Sequence, residues 1–289
     1  MQDFDFRRPK TLSELTSVLA ESNGRILAGG TDIIPKMRRA QFTASTLVDI
    51  SKINELRFIR EQKQRIHIGS LTTHQEIANS SLLAAVNPAL VASALTVGCE
   101  QTRNRGTLGG NIANASPAAD TIPPLLIFDT KVHLLAKSGE RTIPLDEFLV
   151  GPGKTKLIPG ELICGVSFQP LSGTWGVSFM KLGKRKGMAI SVVSAAAAVV
   201  RGPDGRIKKS QLCLGSVAPK VVRSPKAEEK LIGQFPSPEI LDQAAQSCLG
   251  DIAPINDIRS TSEYRSHSAV ILARRVLKQS VSHATRRAS

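Results

Sequence analysis

The chain of 289 residues is 41% hydrophobic and 21% charged. It can therefore bury the core of one large domain or of two ordinary ones, and this composition excludes an intrinsically disordered protein. The net charge of +14 fits high solubility, docking to an acidic partner or nucleic-acid binding. Much of the charge excess lies in residues 181–230, with 12 Lys or Arg against three acids. Because this stretch contains no Trp or Tyr on which single-stranded bases could stack, we expect no nucleic-acid partner.

The first 170 residues alternate between helical and extended patterns. Thr11–Glu21 has apolar side chains at helical spacing, and Thr11 or Ser13 can cap this helix. RILAGGTD, beginning at Arg25, is a short apolar strand that runs into a Gly-Gly turn, and a helix follows with Pro35 in its first turn. Further helices are predicted at 73–78 and at 81–95 (interrupted by Pro88), and further strands at 47–50, 66–68, 132–136, 141–144 and 162–168.

The sequence pattern changes at two places along the rest of the chain. Residues 102–129 consist of turn formers followed by an apolar run, and a domain boundary is predicted near 170–176. Beyond this boundary we predict three antiparallel strands, with a Pro203-Asp204-Gly205 turn between the last two, and then helices. The strands are placed at 177–182, 190–201 and 208–217, and the helices at 227–232, 238–249 and 262–279. The sequence therefore predicts an α+β chain of two domains, residues 1–172 and 173–289.

No targeting or membrane segment is predicted. The N-terminus (MQDFDFRRPKTLSEL) carries acids and lacks the apolar stretch of a secretory signal. The longest apolar run, 189–200, is shorter than the roughly 20 residues that a membrane span needs. We therefore expect a soluble, cytoplasmic protein, in which only the tail after Lys278 is a candidate for disorder.

The sequence contains no metal or catalytic signature. Its four cysteines are separated by 65, 49 and 35 residues and form no CxxC, so free, buried thiols are expected rather than iron–sulfur or zinc ligands. The cysteines are Cys99, Cys164, Cys213 and Cys248. The five histidines are scattered, and P-loop, GxGxxG, GxSxG and HExxH motifs are absent. We assign no residue as a catalytic acid or base.

Two glycine motifs are candidates for holding a cofactor: AGGTD at 28–32 and TLGGN at 107–111. Each is interpreted as a Gly-Gly turn directly after an apolar strand, where the backbone can approach a ligand closely and consecutive N–H groups can bind an anion. The side chains of Thr31, Thr107, Asn111 and Ser116 add neutral hydrogen-bonding groups. Either motif alone fits a tight structural turn, but together they predict a cradle for a phosphate-bearing cofactor.

These motifs also carry a resemblance to a known family, the flavoproteins of molybdenum hydroxylases related to xanthine dehydrogenase and carbon monoxide dehydrogenase. AGGTDIIPKMRR resembles the first FAD loop of that family, and TRNRGTLGGNIANASPAADTIPPLL resembles its second FAD loop. KLGKRKGMAISVVSAAAAV and PINDIRSTSEYRSHSAVILARRVL are similar to the start and the last helix of its C-terminal domain. The matches run in order along nearly the whole chain.

The resemblance implies a vanillyl-alcohol-oxidase-type (PCMH-like) FAD-binding domain with two α/β subdomains in residues 1–172. A small antiparallel-sheet-plus-helices domain of the CO dehydrogenase flavoprotein type would follow in residues 173–289. It further implies FAD in this chain and two partners, a small subunit with two 2Fe–2S clusters and a large subunit with a molybdenum–pterin cofactor, as a dimer of heterotrimers.

In such enzymes the substrate is hydroxylated at molybdenum, and electrons pass through the clusters to FAD and on to an external acceptor. Two alternatives stay open beside this implication. One is a basic assembly or nucleic-acid-binding module that has kept the fold and lost the flavin. The other is a self-contained FAD oxidase, which the lack of a candidate base disfavours.

The resemblance also assigns cofactor contacts. They are Ala28, Gly29, Gly30, Thr31 and Asp32 in the first loop, Thr107, Gly109, Gly110 and Asn111 in the second, and Ser116, Asp120, Ile163 and Lys181 elsewhere. Lys181 matches a basic residue near the flavin ring, where a cation favours the reduced, anionic flavin. The alternatives are a solvated surface lysine for Lys181 and a helix cap for Asp120.

Two positions depart from the family pattern. Ala189 stands where many relatives carry an acidic residue, and Val97 stands roughly where some relatives stack an aromatic ring on the flavin. Because this region shapes access to the ring, the electron acceptor stays open, as does the substrate. No Cys-rich insertion for an additional cluster is present in the sequence.

Overall fold

Four sheets and the helices packed on them organise the chain, which a computed structural model describes over residues 3–22 and 24–288. In chain order the strands are β1 (Asp5–Arg7), β2 (Arg25–Leu27), β3 (Thr46–Asp49), β4 (Ile59–Gln62), β5 (Arg65–Gly69), β6 (Lys131–Ala136), β7 (Gly139–Pro144), β8 (Leu149–Gly151), β9 (Lys154–Thr155), β10 (Leu162–Phe168), β11 (Thr174–Gly183), β12 (Ser191–Arg201), β13 (Ile207–Gly215) and β14 (Val222–Arg223). The α-helices are α1 (Leu12–Glu21), α2 (Ile33–Arg38), α3 (His74–Ala78), α4 (Ser81–Val86), α5 (Pro88–Leu95), α6 (Glu100–Arg105), α7 (Leu108–Asn114), α8 (Ile122–Leu126), α9 (Leu145–Phe148), α10 (Pro225–Leu231), α11 (Pro238–Ser247) and α12 (Ser262–Ala288).

The N-terminal sheet is small and parallel, with strand order β1-β3-β2. Helix α1 begins where Thr11 accepts a hydrogen bond from the Glu14 amide, and it buries Leu15 and Leu19. These leucines pack with Val48 of β3 and with Leu162 of β10, so the N-terminal sheet packs against the sheet that contains β10. Strand β2 ends directly before the first glycine motif.

The second sheet is antiparallel, with strand order β4-β5-β10-β6-β7. Alternate side chains of β5, β6 and β10, such as Ile68, Leu134 and Val166, enter a core that they share with residues of α3, α5, α7 and α8. Strand β10 lies at the centre, because β5 and β6 pair with its two edges. A further two-stranded ribbon, β8 with β9, lies outside this sheet.

The third large sheet, in strand order β11-β12-β13-β14, joins the two halves of the chain. Ala195 and Ala197 of β12 pack in the core with α10, α11 and α12, whereas Ala196 and Ala198 pack in the core of the N-terminal half. The run of small residues in β12 is explained by this burial on both faces. Gly176 of β11 lies under α12, where a Cβ would be 2.5 Å from the Ala284 nitrogen.

The α+β fold class expected from the sequence is confirmed. The interpretation of residues 102–129 is wrong in one respect that matters: the second glycine motif follows α6 and not a strand, and α7 and α8 are helices as well. Pro123 and Pro124 are compatible with α8 because they lie in its first turn, where N–H groups lack helical partners. The tail after Lys278 is not disordered, since α12 continues to Ala288.

The predicted domain boundary coincides with the connection between β10 and β11 and stays a prediction. Within the described ranges, no helix is both long and apolar enough to span a bilayer.

Candidate functional site

The first glycine loop (residues 28–32) connects β2 to α2 and has unpaired backbone amides. Within the described part of the chain, the N–H groups of Gly29, Gly30, Thr31 and Asp32 donate no hydrogen bond. Gly30 adopts the left-handed conformation, with φ of 73°, which favours glycine. The Asp32 carboxylate pairs with Lys36 at 2.6 Å and leaves these amides free. A row of free amides requires water or a ligand as its acceptor.

The first loop packs directly against the chain that leads into the second glycine loop (residues 107–111). A Cβ at Gly29 would overlap the carbonyl oxygen of Arg105 and would lie 3.2 Å from the Cα of Gly106. In turn, a Cβ at Gly106 would lie 3.4 Å from Oγ1 of Thr31. The two motifs, 75 or more residues apart in sequence, are therefore adjacent in space.

The second glycine loop is held by the segment that follows β5. The Gly109 amide donates to the Ser70 carbonyl, and the Leu108 amide donates to the Thr72 carbonyl, both at 2.9 Å. Thr107 caps α7 by accepting from the Gly110 amide at 3.2 Å. Most amides of this loop are thus already paired, in contrast to those of the first loop. A Cβ at Gly110 would meet only Thr107 Oγ1, at 3.0 Å, so this glycine borders open space.

A buried ionic cluster joins the N-terminal half to the third sheet. Nζ of Lys181 lies 2.5 Å from Oδ2 of Asp120 and donates to the Thr96 carbonyl at 3.1 Å. Oγ of Ser191 donates to Oδ1 of Asp120, also at 2.5 Å. The side chains of Lys181 and Asp120 are 9% and 7% exposed. Burial raises the pKa of Asp120, and the neighbouring Lys181 opposes that rise.

This cluster does not match the alternatives drawn from the sequence. Lys181 is nearly buried and ion-paired, unlike a solvated surface lysine. Asp120 does not cap α8, because Thr121 occupies the N-cap position and no side-chain capping bond is formed. The Thr121 hydroxyl instead donates to Oδ1 of Asn111 at 2.8 Å, which ties the cluster to α7 and the second loop.

The remaining predicted contacts lie around the second loop. Ile163 is buried in β10, and the carbonyl of the next residue, Cys164, accepts from the Ser70 amide at 2.9 Å. Ser70 in turn holds Gly109, so β10 backs the second loop. Ser116 accepts from the Ala118 amide at 3.2 Å in the turn that precedes Asp120.

Sequence reasoning missed His74, which lies behind the junction of the two loops. A Cβ at Gly106 would be 3.1 Å from Cδ2 of His74, and the Nδ1 atom of this ring is buried without a partner. Burial, assisted by the Arg103 charge, lowers the pKa of His74 to about 4. The imidazole is therefore neutral at physiological pH. The capping box formed by Thr73 and Glu76 is the sequence signal that fixes the start of its helix.

The two positions that depart from the family pattern lie in one region. The Met188 amide donates to the Gly98 carbonyl at 3.1 Å, which brings the 184–190 loop beside Val97. Met188 and Ile190 are 56% and 58% exposed, so this region presents apolar side chains to its surroundings. Thr96 and Ser191 were not singled out from the sequence, because only the fold brings them beside Asp120 and Lys181.

Comparison with protein-family models gives two matches in chain order. Residues 2–170 match the FAD binding domain in molybdopterin dehydrogenase, and residues 178–280 match the CO dehydrogenase flavoprotein C-terminal domain.

Similar proteins cover almost the whole chain. It is 31% identical over 288 residues to a xanthine dehydrogenase FAD-binding subunit of Escherichia coli O157:H7, covering 98% of each chain. It is 28% identical to the carbon monoxide dehydrogenase medium chain of Hydrogenophaga pseudoflava, covering 95% of this chain and 96% of that one.

Solved structures also match the fold over almost the whole chain. A chain of carbon monoxide dehydrogenase from Hydrogenophaga pseudoflava superposes with a TM-score of 0.93 at 28% identity, covering 98% of each chain. A chain of quinoline 2-oxidoreductase from Pseudomonas putida 86 gives 0.92 at 26% identity, also covering 98% of each.

Proposed function

Since the chain belongs to the family of FAD-binding medium subunits of molybdenum hydroxylases, we propose that it binds FAD between the two glycine loops and relays electrons within a multi-subunit oxidoreductase. When bound, the flavin supplies the redox chemistry. The chain supplies binding, orientation and the local electrostatic environment.

The free amides of the first glycine loop are the observation that carries this proposal. Four consecutive residues, from Gly29 to Asp32, offer N–H groups without acceptors in the described chain. Their loop packs on the backbone that leads into the second loop. Such a row of amides is suited to the oxygens of a diphosphate. The second loop contributes a fixed wall, whose open side is at Gly110.

The buried ion pair supports a modified role for Lys181. Its charge is compensated by Asp120, so the pair presents less positive charge to a flavin than a lone lysine would. Two of the three ammonium protons of Lys181 point to Asp120 and to the Thr96 carbonyl. We propose that the third serves as a hydrogen-bond donor beside the flavin, with Asp120 holding the ammonium group in place.

We propose the partner subunits from the similarity to the relatives. We assign the electron donor to 2Fe–2S clusters of a small subunit, fed by a large subunit with a molybdenum–pterin cofactor, and the electrons leave to an external acceptor. The exposed Met188 and Ile190 beside the site support contact with another chain at this face. Assembly as a dimer of heterotrimers stays a prediction.

Purification of the chain tests the proposed function directly. We expect a yellow protein whose chromophore, released by denaturation and separated by chromatography, is FAD. A protein that is colourless as isolated and remains so after incubation with FAD contradicts the proposal.

Gly110→Val is expected to lower the FAD content sharply while leaving the fold intact. The new Cβ would lie 3.0 Å from Oγ1 of Thr107, a close contact with the end of one side chain, and the methyl groups beyond it would fill the volume assigned to the cofactor. Flavin absorbance per polypeptide measures the content, and thermal unfolding of the apoprotein checks the fold. Normal flavin content in Gly110→Val would show that the second loop does not line the site.

Cys99 is expected to be the fastest-reacting thiol, and bound FAD is expected to slow it. A hydrogen bond with Thr102 lowers the pKa of the part-exposed Cys99 thiol. Burial raises the pKa of Cys164 and Cys248 to about 12 and also raises that of Cys213. Because thiolates are the reactive form, a thiol–disulfide reagent should show one fast phase, which Cys99→Ser abolishes. Bound FAD is expected to slow this phase because Lys181, which we place beside the flavin, donates to the carbonyl of Thr96, three residues before Cys99. A rate unchanged by FAD would place the flavin away from this segment.

A further inference from the structure

A second concave site lies at the end of the central sheet remote from the glycine loops. Strands β5 and β10 have their Gly69 and Ile163 ends beside the second loop, and their Arg65 and Phe168 ends point away from it. At the far ends, the junction with the third sheet encloses a groove of about 810 Å³. The groove is lined by Arg65, Phe128, Asp129, Lys131, Gln169, Pro170, Leu171, Ser172, Gly173, Val200, Arg201, Gly202, Pro203, Lys208 and Lys209.

The lining contains five basic residues and a single acid, Asp129, whose charge is already compensated. Oδ2 of Asp129 pairs with Lys209 at 3.1 Å. Oδ1 accepts from Gln211 at 2.8 Å and pairs with Arg223 at 3.2 Å. With two cations and an amide on one carboxylate, Asp129 leaves the groove with an excess of positive charge.

The other four bases, Arg65, Lys131, Arg201 and Lys208, have no carboxylate partner among the described residues. Two are oriented by neutral acceptors. Arg65 donates to the hydroxyl and the carbonyl of Ser167, each at 3.3 Å. Arg201 donates to the Gly205 carbonyl at 3.0 Å and to the Thr285 hydroxyl at 2.9 Å. The side chains of Lys131 and Lys208 donate no hydrogen bond and form no ion pair among the described residues, so their ammonium groups are left to pair with carboxylates of a ligand.

The rest of the groove lining consists of apolar side chains and exposed backbone. Leu171, Pro170, Pro203 and Val200 lie beside the bases, and at Gly173 a Cβ would meet nothing within 4 Å. Phe128 is the one aromatic residue of the lining, and it is only 4% exposed. A stack of nucleic-acid bases therefore has no exposed aromatic platform here. At a share of about 30 Å³ per water, a single small anion would leave most of the groove filled with water.

From these features we propose that the groove docks an extended acidic segment of a partner polypeptide, with carboxylates at Lys131 and Lys208 and an apolar side chain against Leu171 and Val200. It gives a role to Arg201, Lys208 and Lys209, three bases of the stretch 181–230 that the flavin site does not use. Because the groove is remote from the glycine loops, its occupation is separable from FAD binding.

The test compares two variants of equal charge. The groove variant, Lys131→Glu with Lys208→Glu, reverses the charge of two lysines in the groove. The control variant, Lys230→Glu with Lys278→Glu, reverses the charge of two exposed lysines outside it. Each pair changes the net charge by −4, from +14 to +10. The probe is a short fluorescein-labelled peptide of alternating Glu and Leu, followed by anisotropy on the FAD-loaded protein. The groove variant is expected to bind about tenfold more weakly than the unaltered protein, and the control variant within about twofold of it.

Three results would overturn the proposal. The first is an equal loss of affinity in both variants, which would reduce the effect to overall charge. The second is equally tight binding of a Gln-and-Leu peptide. The third is displacement of the peptide by inorganic phosphate or a single-stranded oligonucleotide more readily than by unlabelled peptide. If the reversed groove variant does not fold, Lys131→Gln with Lys208→Gln, against Lys230→Gln with Lys278→Gln, makes the same comparison. Unchanged FAD content in every variant keeps this test independent of the proposed function.

Discussion

Replacement of Lys181 by methionine is expected to lower the free energy of unfolding of the apoprotein by about 3–5 kcal/mol, the usual effect of breaking a buried ion pair. Methionine fills a similar volume but leaves Asp120 buried, with only Ser191 and Thr96 as hydrogen-bonding partners. Denaturant unfolding of the flavin-free protein measures this loss without a contribution from cofactor binding. Lys186→Met, at an exposed position of the neighbouring loop, is the matched control, and its effect is expected to be within about 0.5 kcal/mol.

The loss in Lys181→Met is expected to depend on pH. Burial raises the pKa of Asp120 in the folded protein, and Lys181 is the main influence that lowers it again. An acid whose folded pKa is raised stabilises the fold below its unfolded pKa and loses that contribution as the pH rises through the folded pKa. Removing Lys181 raises the folded pKa further. The free energy of unfolding of the variant should therefore lie furthest below that of the unaltered protein at neutral and alkaline pH. The difference should shrink on acidification.

Neutralising the second partner is the sharpest check on this explanation. In Lys181→Met with Asp120→Asn, no buried charge is left without a partner, so most of the lost stability should return. The pH dependence of the difference should also disappear. If the double variant is as unstable as Lys181→Met alone, the loss comes from packing and the ionic explanation is wrong.

The parts of the fold that the sequence predicted well are those with strong local patterns. Helix α1 has regular apolar spacing with a threonine cap, the first strand of the β6–β7 hairpin is apolar, and strands β11 and β12 have long apolar stretches. In each, the local signal and the tertiary environment favour the same structure. Pro88 was also interpreted correctly as an interruption, since it begins α5 with Asn87 as the cap.

Helices α6, α7 and α8 were missed because their stability is mainly tertiary. They are five to seven residues long, too short to form alone. Helix α7 contains two adjacent glycines, which disfavour a helix in isolation. The chain forms it because Thr107 caps it and because Ser70 and Thr72 accept the amides of Gly109 and Leu108. None of these partners can be identified from residues 107–111 alone.

The candidate site was predicted at the level of residue types, and its contacts were not. Composition and motif spacing single out the glycines and hydroxyl residues of both loops. They cannot tell that the first loop has free amides while most of those of the second are paired. Likewise Asp120 and Lys181 are 61 residues apart, so their ion pair follows only from the docking of β11 beside the Thr96 segment. The neutral state of His74 results from burial, which a sequence does not reveal.

Gly29→Ala is expected to reduce FAD affinity by about tenfold or more and to destabilise the apoprotein by about 1–3 kcal/mol. The added methyl group would overlap the carbonyl oxygen of Arg105, which belongs to the backbone and cannot rotate away. Relief requires the two glycine loops to separate, and that movement misplaces the row of free amides. Titration of the apoprotein with FAD, followed by quenching of flavin fluorescence, measures the affinity, and denaturant unfolding measures the stability.

Gly151→Ala is the matched control, because a Cβ there meets nothing within 4 Å and the backbone does not have a positive φ. It is expected to leave both quantities unchanged. Comparison with Gly110→Val then separates two kinds of damage. A side chain at Gly110 blocks the cofactor volume and leaves the loops in contact, so only affinity falls, whereas a methyl group at Gly29 forces the loops apart, so affinity and stability fall together. If Gly29→Ala loses stability but binds FAD normally, contact between the loops supports the fold alone, and the first loop does not hold the diphosphate.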